Sequence, residues 1–165
     1  MRGIYTGRFL CAEAQLVLEK LGKTVYSNAP FNPRRRLADS NSSRGHSCVD
    51  MSATEISHGK HPALNPSLIG ERIVRESKDL GLAVVVFDLE LGNGAHPTPA
   101  TELVPAVKDA KRRVEDTGGY LSVMASIIGT SGDPQGFEKQ KKELERAGVV
   151  VLPTPTQAIQ TAGSL

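Results

Sequence analysis

Residues Ala83-Val84-Val85-Val86-Phe87 are apolar at consecutive positions, and this run constrains the fold more than any other feature of the chain. A strand with one face in water alternates apolar and polar side chains with period two. An unbroken apolar strand is buried on both faces, which places it inside a parallel sheet covered by helices. Leu82 to Leu89 is therefore expected as a central strand of an α/β domain.

The rest of the chain supports that frame by alternating short apolar runs with helical patterns. Gly3-Ile4-Tyr5 reads as a first strand, closed by the turn signal Thr6-Gly7. Phe9 to Leu21 reads as a helix ended by Gly22, and Thr24-Val25-Tyr26 as a second strand. Residues 28–46 break the pattern with Pro30, Pro33, the Arg34–Arg36 run and Asn41-Ser42-Ser43, and are expected as an exposed loop. Ser47 to Ser52 adds a short strand. Pro66 to Leu80 is expected as a helix with Asn65 as N-cap and Ile69, Ile73 and Leu80 on one side. Thr98 caps a further helix with Pro99 first, and Leu103, Val107, Ala110 and Val114 recur in it at helical spacing before Gly118-Gly119. Tyr120 to Ile128 is a strand, Gln135 to Ala147 a helix, Val149 to Leu152 the last strand and Thr156 to Ala162 a final helix.

Strands alternating with helices at this spacing require parallel pairing through right-handed crossovers. Five main strands in one domain predict a flavodoxin-like sheet of order 2-1-3-4-5, with an irregular insertion around residues 28–65. The whole chain, 1–165, is read as a single domain.

Composition narrows the function classes. The net charge is +2 and the basic residues alternate with acids, as in Lys108–Arg113, which argues against nucleic acid or an anionic membrane as partner. Aromatics make up 4% and Trp is absent, so the core is aliphatic. Cys11 and Cys48 have neither CxxC nor metal spacing and read as buried thiols of a reducing compartment. Met1–Phe9 is too short and polar for a signal peptide, and no run approaches membrane-spanning length, so the expected location is cytoplasmic.

Ligands of open parallel sheets sit beyond the carboxyl ends of the strands. The loops expected there are Thr6-Gly7-Arg8, Glu90 to His96, Gly129 to Pro134 and Pro153 to Thr156. Glycine-containing turns at helix starts offer free amides to an anion, although tight turns need glycine anyway. The anion site is assigned to Thr6, Gly7, Arg8, Phe9 and Leu10, with Asn93, Gly94, Gly129, Thr130 and Ser131 around it. His96 is the acid–base candidate, with an ordinary capping role as the alternative. No metal site is read, because His46, His58, His61 and His96 lack ligand spacing. Asp88 ends the central strand as a phospho-acceptor aspartate would, but the acidic pair and lysine of a receiver domain are missing, so that reading is set aside.

The segment Arg2 to Ala14 resembles the opening of the ligase-like region of FdrA-type proteins. These are relatives of the NDP-forming acyl-CoA synthetases, which include succinyl-CoA synthetase. The resemblance continues through His46-Ser47-Cys48-Val49-Asp50, Gly59 to Pro66, Asp88 to Pro97 and Gly129 to Gln135, in order along nearly the whole chain. The chain departs from the pattern at Arg8, where relatives carry glycine, and at Ser52-Ala53-Thr54, where they carry acids. Neither the CoA-binding Rossmann domain, the ATP-grasp domain nor the phosphohistidine loop of the synthetases is found in it; Gly45-His46-Ser47 lies at the wrong place for that loop.

In the synthetases the helix after the first strand of this domain points at a phosphorylated intermediate, and Arg8 to Ala12 look like that position. The resemblance implies an anion-binding domain or subunit that acts with a CoA-binding or other ligase-type partner in acyl or carbamoyl transfer. It leaves the cofactor open between CoA and an acyl or carbamoyl phosphate, and leaves a homo-oligomer open. The alternatives are a flavin- or nucleotide-binding flavodoxin-like module, against which the few aromatics speak, and a non-catalytic interaction subunit.

Overall fold

The computed structural model describes residues 1–165. Its six strands are β1 (Arg2–Tyr5), β2 (Val25–Ser27), β3 (His46–Asp50), β4 (Val84–Glu90), β5 (Ser122–Ile128) and β6 (Val149–Leu152). Between and after them run α1 (Arg8–Lys20), α2 (Thr54–Ser57), α3 (Ser67–Glu76), α4 (Pro99–Asp116), α5 (Phe137–Arg146) and α6 (Pro155–Ser164). All strand pairs are parallel, in the order β2-β3-β1-β4-β5-β6. The five main strands thus keep their expected succession, and the short strand β3 is inserted between the first two. The chain leaves β1 through α1 toward one edge of the sheet and leaves β4 through α4 toward the other, so β1 and β4 flank the switch point.

The apolar run of β4 divides its side chains between two cores, as a doubly covered strand must. Val85, Phe87 and Leu89 join the larger core with Ile69, Ile73, Leu103 and Val107, under α3, α4 and α5. Val84 and Val86 join the smaller one with Tyr5, Cys11, Ala14, Leu18 and Ile159, where α1 packs on α6.

Two expectations about α3 are corrected. The helix ends at Glu76, so Leu80 lies beyond it in a turn and is 82% exposed rather than on the buried side. Asn65 makes no cap; its side chain turns back to the His61 carbonyl, and Pro66 itself is the N-cap residue. Thr98 does precede Pro99 at the start of α4, but the amide of Ala100 is satisfied by Oε1 of Gln140 from α5, at 3.0 Å.

The stretch 28–65 holds more pairing than its composition suggests. The Asn28 side chain donates to the Asp50 carbonyl and accepts from the Asp50 amide, both at 2.9 Å, and so continues the β2–β3 ladder beyond the last residue of β2. At the opposite end of the sheet, Glu76 bridges two buried arginines, Arg2 at 2.9 Å and Arg72 at 2.5 Å. Arg72 also donates to the Ser40 carbonyl and the Ser43 hydroxyl, and Arg2 to the Gly45 carbonyl and Asp79. These bonds fasten the exposed loop 28–46 to α3 and β1. No helix is long and apolar enough to cross a membrane.

Candidate functional site

The carboxyl edge of the sheet brings the predicted loops onto one side of the molecule. Strand β1 ends at Tyr5, and Thr6 and Gly7 carry the chain into α1. Gly7 is the N-cap residue, in extended conformation (φ −151°, ψ 169°), with no side-chain cap. The amides of Gly7, Arg8, Phe9 and Leu10 meet no acceptor in the protein. Four free N–H groups at the positive end of a 13-residue helix form an electropositive cradle. Arg8 and Phe9 are exposed beside it, Phe9 to 94%, while Leu10 packs against the core under α1.

The preceding amide, that of Thr6, is engaged. It donates to Oδ1 of Asp88 at 2.8 Å across the β1–β4 seam. Asp88 is completely buried, and its Oδ2 has no partner. Burial pushes its carboxyl up to about 7; the bonds from Thr6 pull the other way and the charge of Glu90 adds to the rise. On α1, burial pushes the Cys11 thiol up to about 12, and on β1 it raises the Tyr5 hydroxyl well above its ordinary value. Neither is an ionised nucleophile.

The loop after β4 is held from below by Gln135. Its Oε1 accepts from Gly92 N–H at 3.1 Å, and its Nε2 donates to the Gly92 carbonyl at 2.8 Å and to the Ala95 carbonyl at 3.4 Å. Asn93 and Gly94 project into solvent. His96 donates its amide to the Ala63 carbonyl, and its Nδ1 accepts from Thr98 N–H at 3.2 Å. That ring nitrogen serves the turn leading into α4.

The loop after β5 is organised by Asp133. Its Oδ2 accepts from the Thr130 amide at 2.6 Å and from the Thr130 hydroxyl at 3.3 Å. Thr130 therefore gives its donors to its own turn, while Ser131 is exposed and makes no hydrogen bond within the protein. Gly129 is needed for packing, since a Cβ there would lie 2.8 Å from Cβ of Leu91.

Strands β1 and β5 are both neighbours of β4, so the 6–10 and 129–131 loops share an edge about 10 Å apart. No hydrogen bond joins residues 6–10 to 92–96 or to 129–131. The structure thus gathers the sequence-read residues on one rim and leaves the free donors concentrated at α1. No group of three or more His, Cys, Asp or Glu side chains is placed to hold a metal ion. Sequence reasoning weighed Asp88 only as a phospho-acceptor and did not connect it to the Thr6 turn. Its signal was a carboxylate set within the apolar run of the central strand, between Phe87 and Leu89. Gln135 carried no such signal: it reads as the start of a helix, whereas it lies in the turn before α5, and only the fold shows what it holds.

Residues 4–165 match the model of the CoA-ligase family. The chain is 35% identical over 158 residues to the uncharacterized protein YahF of Escherichia coli strain K12, an alignment that covers 94% of this chain. The chain spans about 30% of the length of that curated relative.

Proposed function

The chain belongs to the CoA-ligase family, and from that premise we propose that it is the anion-holding domain of an FdrA-like assembly related to the acyl-CoA synthetases. The observation that carries the reading is the row of unpartnered amides from Gly7 to Leu10 at the start of α1. Such a row fits a phosphate or acyl-phosphate oxyanion, whose oxygens accept several N–H donors at once. A partner chain of ligase type supplies the rest of the machinery for acyl or carbamoyl transfer, and CoA, where it takes part, comes with that partner. The exposed ring of Phe9 beside the cradle suits a site closed by a second protein surface.

Isothermal titration with phosphate, acetyl phosphate, carbamoyl phosphate and CoA tests the reading. Saturable binding of at least one phosphorylated compound is expected. If none binds, either to the chain alone or to the chain with a captured ligase-type partner, the reading fails.

A further inference from the structure

We infer that Asp88 is a specificity-determining residue of the cradle on α1, and that the site takes up an oxyanion together with a proton held on this carboxyl. The inference rests on the reading of α1 as the anion site and adds the protonation state that the site demands.

The geometry sets up a competition. The amides that rise from the β1–β4 seam belong to one series, Thr6 and then Gly7 to Leu10. The first of them already donates to a carboxyl oxygen, Oδ1 of Asp88. An ionised Asp88 therefore holds a negative charge on the amide that directly precedes the free ones, and that charge repels an oxyanion bound to Gly7–Leu10. Burial makes this repulsion strong, because the carboxyl has no surface exposed to bulk solvent that would screen it. A protonated Asp88 keeps Oδ1 as acceptor for Thr6, removes the charge and turns Oδ2 into a donor. That oxygen has no partner within the protein.

The surroundings offer no cation that could neutralise the carboxylate instead. On its own strand the charged neighbour is Glu90, which raises it further. From β1 comes Tyr5, neutral because burial raises it. From α1 come Cys11, likewise neutral, and Glu13, whose carboxylate accepts from the Thr156 hydroxyl. Beyond β1, Asp50 ends β3 and accepts from Ser52. The β5 partner opposite Asp88 is Ser126, and α6 carries no ionisable side chain. Arg8 is the one cation in the first turn of α1, and it is exposed. A proton is therefore what can compensate a second negative charge here. Burial already brings that proton within reach near neutral pH.

Sulfate is the probe, because its charge stays constant across the range in which Asp88 titrates. Its binding is measured by isothermal titration at about pH 5.5 and about pH 8.5, on either side of that transition. The parent is expected to bind sulfate roughly thirtyfold more weakly at the higher pH, as one obligatorily linked proton titrating at about 7 requires. Near pH 7.5, buffers of different ionisation heat should reveal proton uptake on binding, a readout that needs no variant. Asp88→Asn, which keeps the Oδ1 acceptor, should bind sulfate with the same affinity at both values. Equal binding by the parent at both values, binding without proton uptake, or an unchanged pH dependence in Asp88→Asn overturns the inference while leaving the anion site standing. Absence of sulfate binding to the parent at either pH rejects the anion site itself and the inference with it.

Discussion

The amide of Thr6 donates to Oδ1 of Asp88 over 2.8 Å, joining the residue that enters α1 to the end of the central strand. This bond crosses the seam at which the chain reverses direction over the sheet, so a carboxyl lies directly before the free amides of α1. A carboxyl so deeply buried has a consequence for stability as well as for binding. With its titration raised from about 4 in the unfolded chain to about 7, the native state binds more protons than the unfolded state between those values. The stabilisation is complete below the unfolded value and is lost as pH rises through the folded one. Urea unfolding should therefore show stability falling by on the order of a few kcal/mol between about pH 4 and about pH 7 on account of this group. Asp88→Asn should flatten that part of the profile and exceed the parent in stability at pH 8. A parent profile that rises monotonically through the window, with Asp88→Asn parallel to it, would show that Asp88 ionises freely in the fold.

Gly7→Val should remove anion binding while leaving the fold intact. Gly7 is in an extended conformation open to any residue, and a Cβ added there meets nothing within 4 Å. The added isopropyl group projects beside the free amides and hinders an oxyanion from approaching them. Titration with acetyl phosphate checks the loss, and a thermal melt within about 2 °C of the parent checks the fold. Arg8→Gly should weaken binding only a few-fold, since one exposed charge at a helix start contributes roughly 0.3–1 kcal/mol. If Gly7→Val binds as the parent does, the ligand does not sit on these amides.

Much of this fold was legible because its signals are local. The apolar run of β4 can be buried on both faces only in a covered parallel sheet, and Leu103, Val107, Ala110 and Val114 mark one face of α4 without help from the rest of the chain. Once the sheet is parallel, the loops at its carboxyl edge follow from topology, and Thr6 to Leu10 lie there as expected. The position of β3 was not legible. His46-Ser47-Cys48-Val49-Asp50 has little apolar patterning, and it is held between β2 and β1 partly by the side chain of Asn28, distant in sequence. The donors of Thr130 looked available because glycine and threonine in a loop suggest an anion, yet Asp133 three residues later takes them. Leu80 matched the helical spacing of Ile69 and Ile73, but α3 stops at Glu76, where Ser77 closes the turn by donating to the Val74 carbonyl.

Glu76→Ala should cost about 3–5 kcal/mol, because it leaves Arg2 and Arg72 buried with a missing counter-charge. Arg72 also holds the loop at Ser40 and Ser43, so the variant should become sensitive to limited proteolysis between Asp39 and Gly45 before it unfolds globally. Urea denaturation and mapping of the first cleavage site measure the two effects. An unfolding midpoint equal to that of the parent would mean that the arginines find water or another acceptor when the carboxylate is gone.

Gly3 and Tyr5 lie on the same face of β1, and the Tyr5 ring folds back over Gly3. A Cβ at position 3 would come within 2.6 Å of Cε2 and 2.9 Å of the hydroxyl oxygen of Tyr5. The ring is fully buried among Cys11, Ala14, Leu18 and Val86 and cannot swing away without opening the core under α1 and α6. Gly3→Ala should therefore destabilise the protein by roughly 1–3 kcal/mol, the cost of overpacking by one methyl group. Tyr5→Leu shortens the side chain that the methyl group strikes, so Gly3→Ala should cost less in its presence, with a coupling on the order of 1 kcal/mol in a double-mutant cycle. Tyr5→Phe separates the ring from its hydroxyl. That hydroxyl is buried without a hydrogen-bond partner, so its removal should leave stability unchanged or raise it by up to about 1 kcal/mol. Urea unfolding of the three single variants and the Gly3→Ala/Tyr5→Leu double variant decides the matter. Strict additivity in the cycle would show that the ring does not press on Gly3, and a large loss in Tyr5→Phe would show that the hydroxyl has a partner.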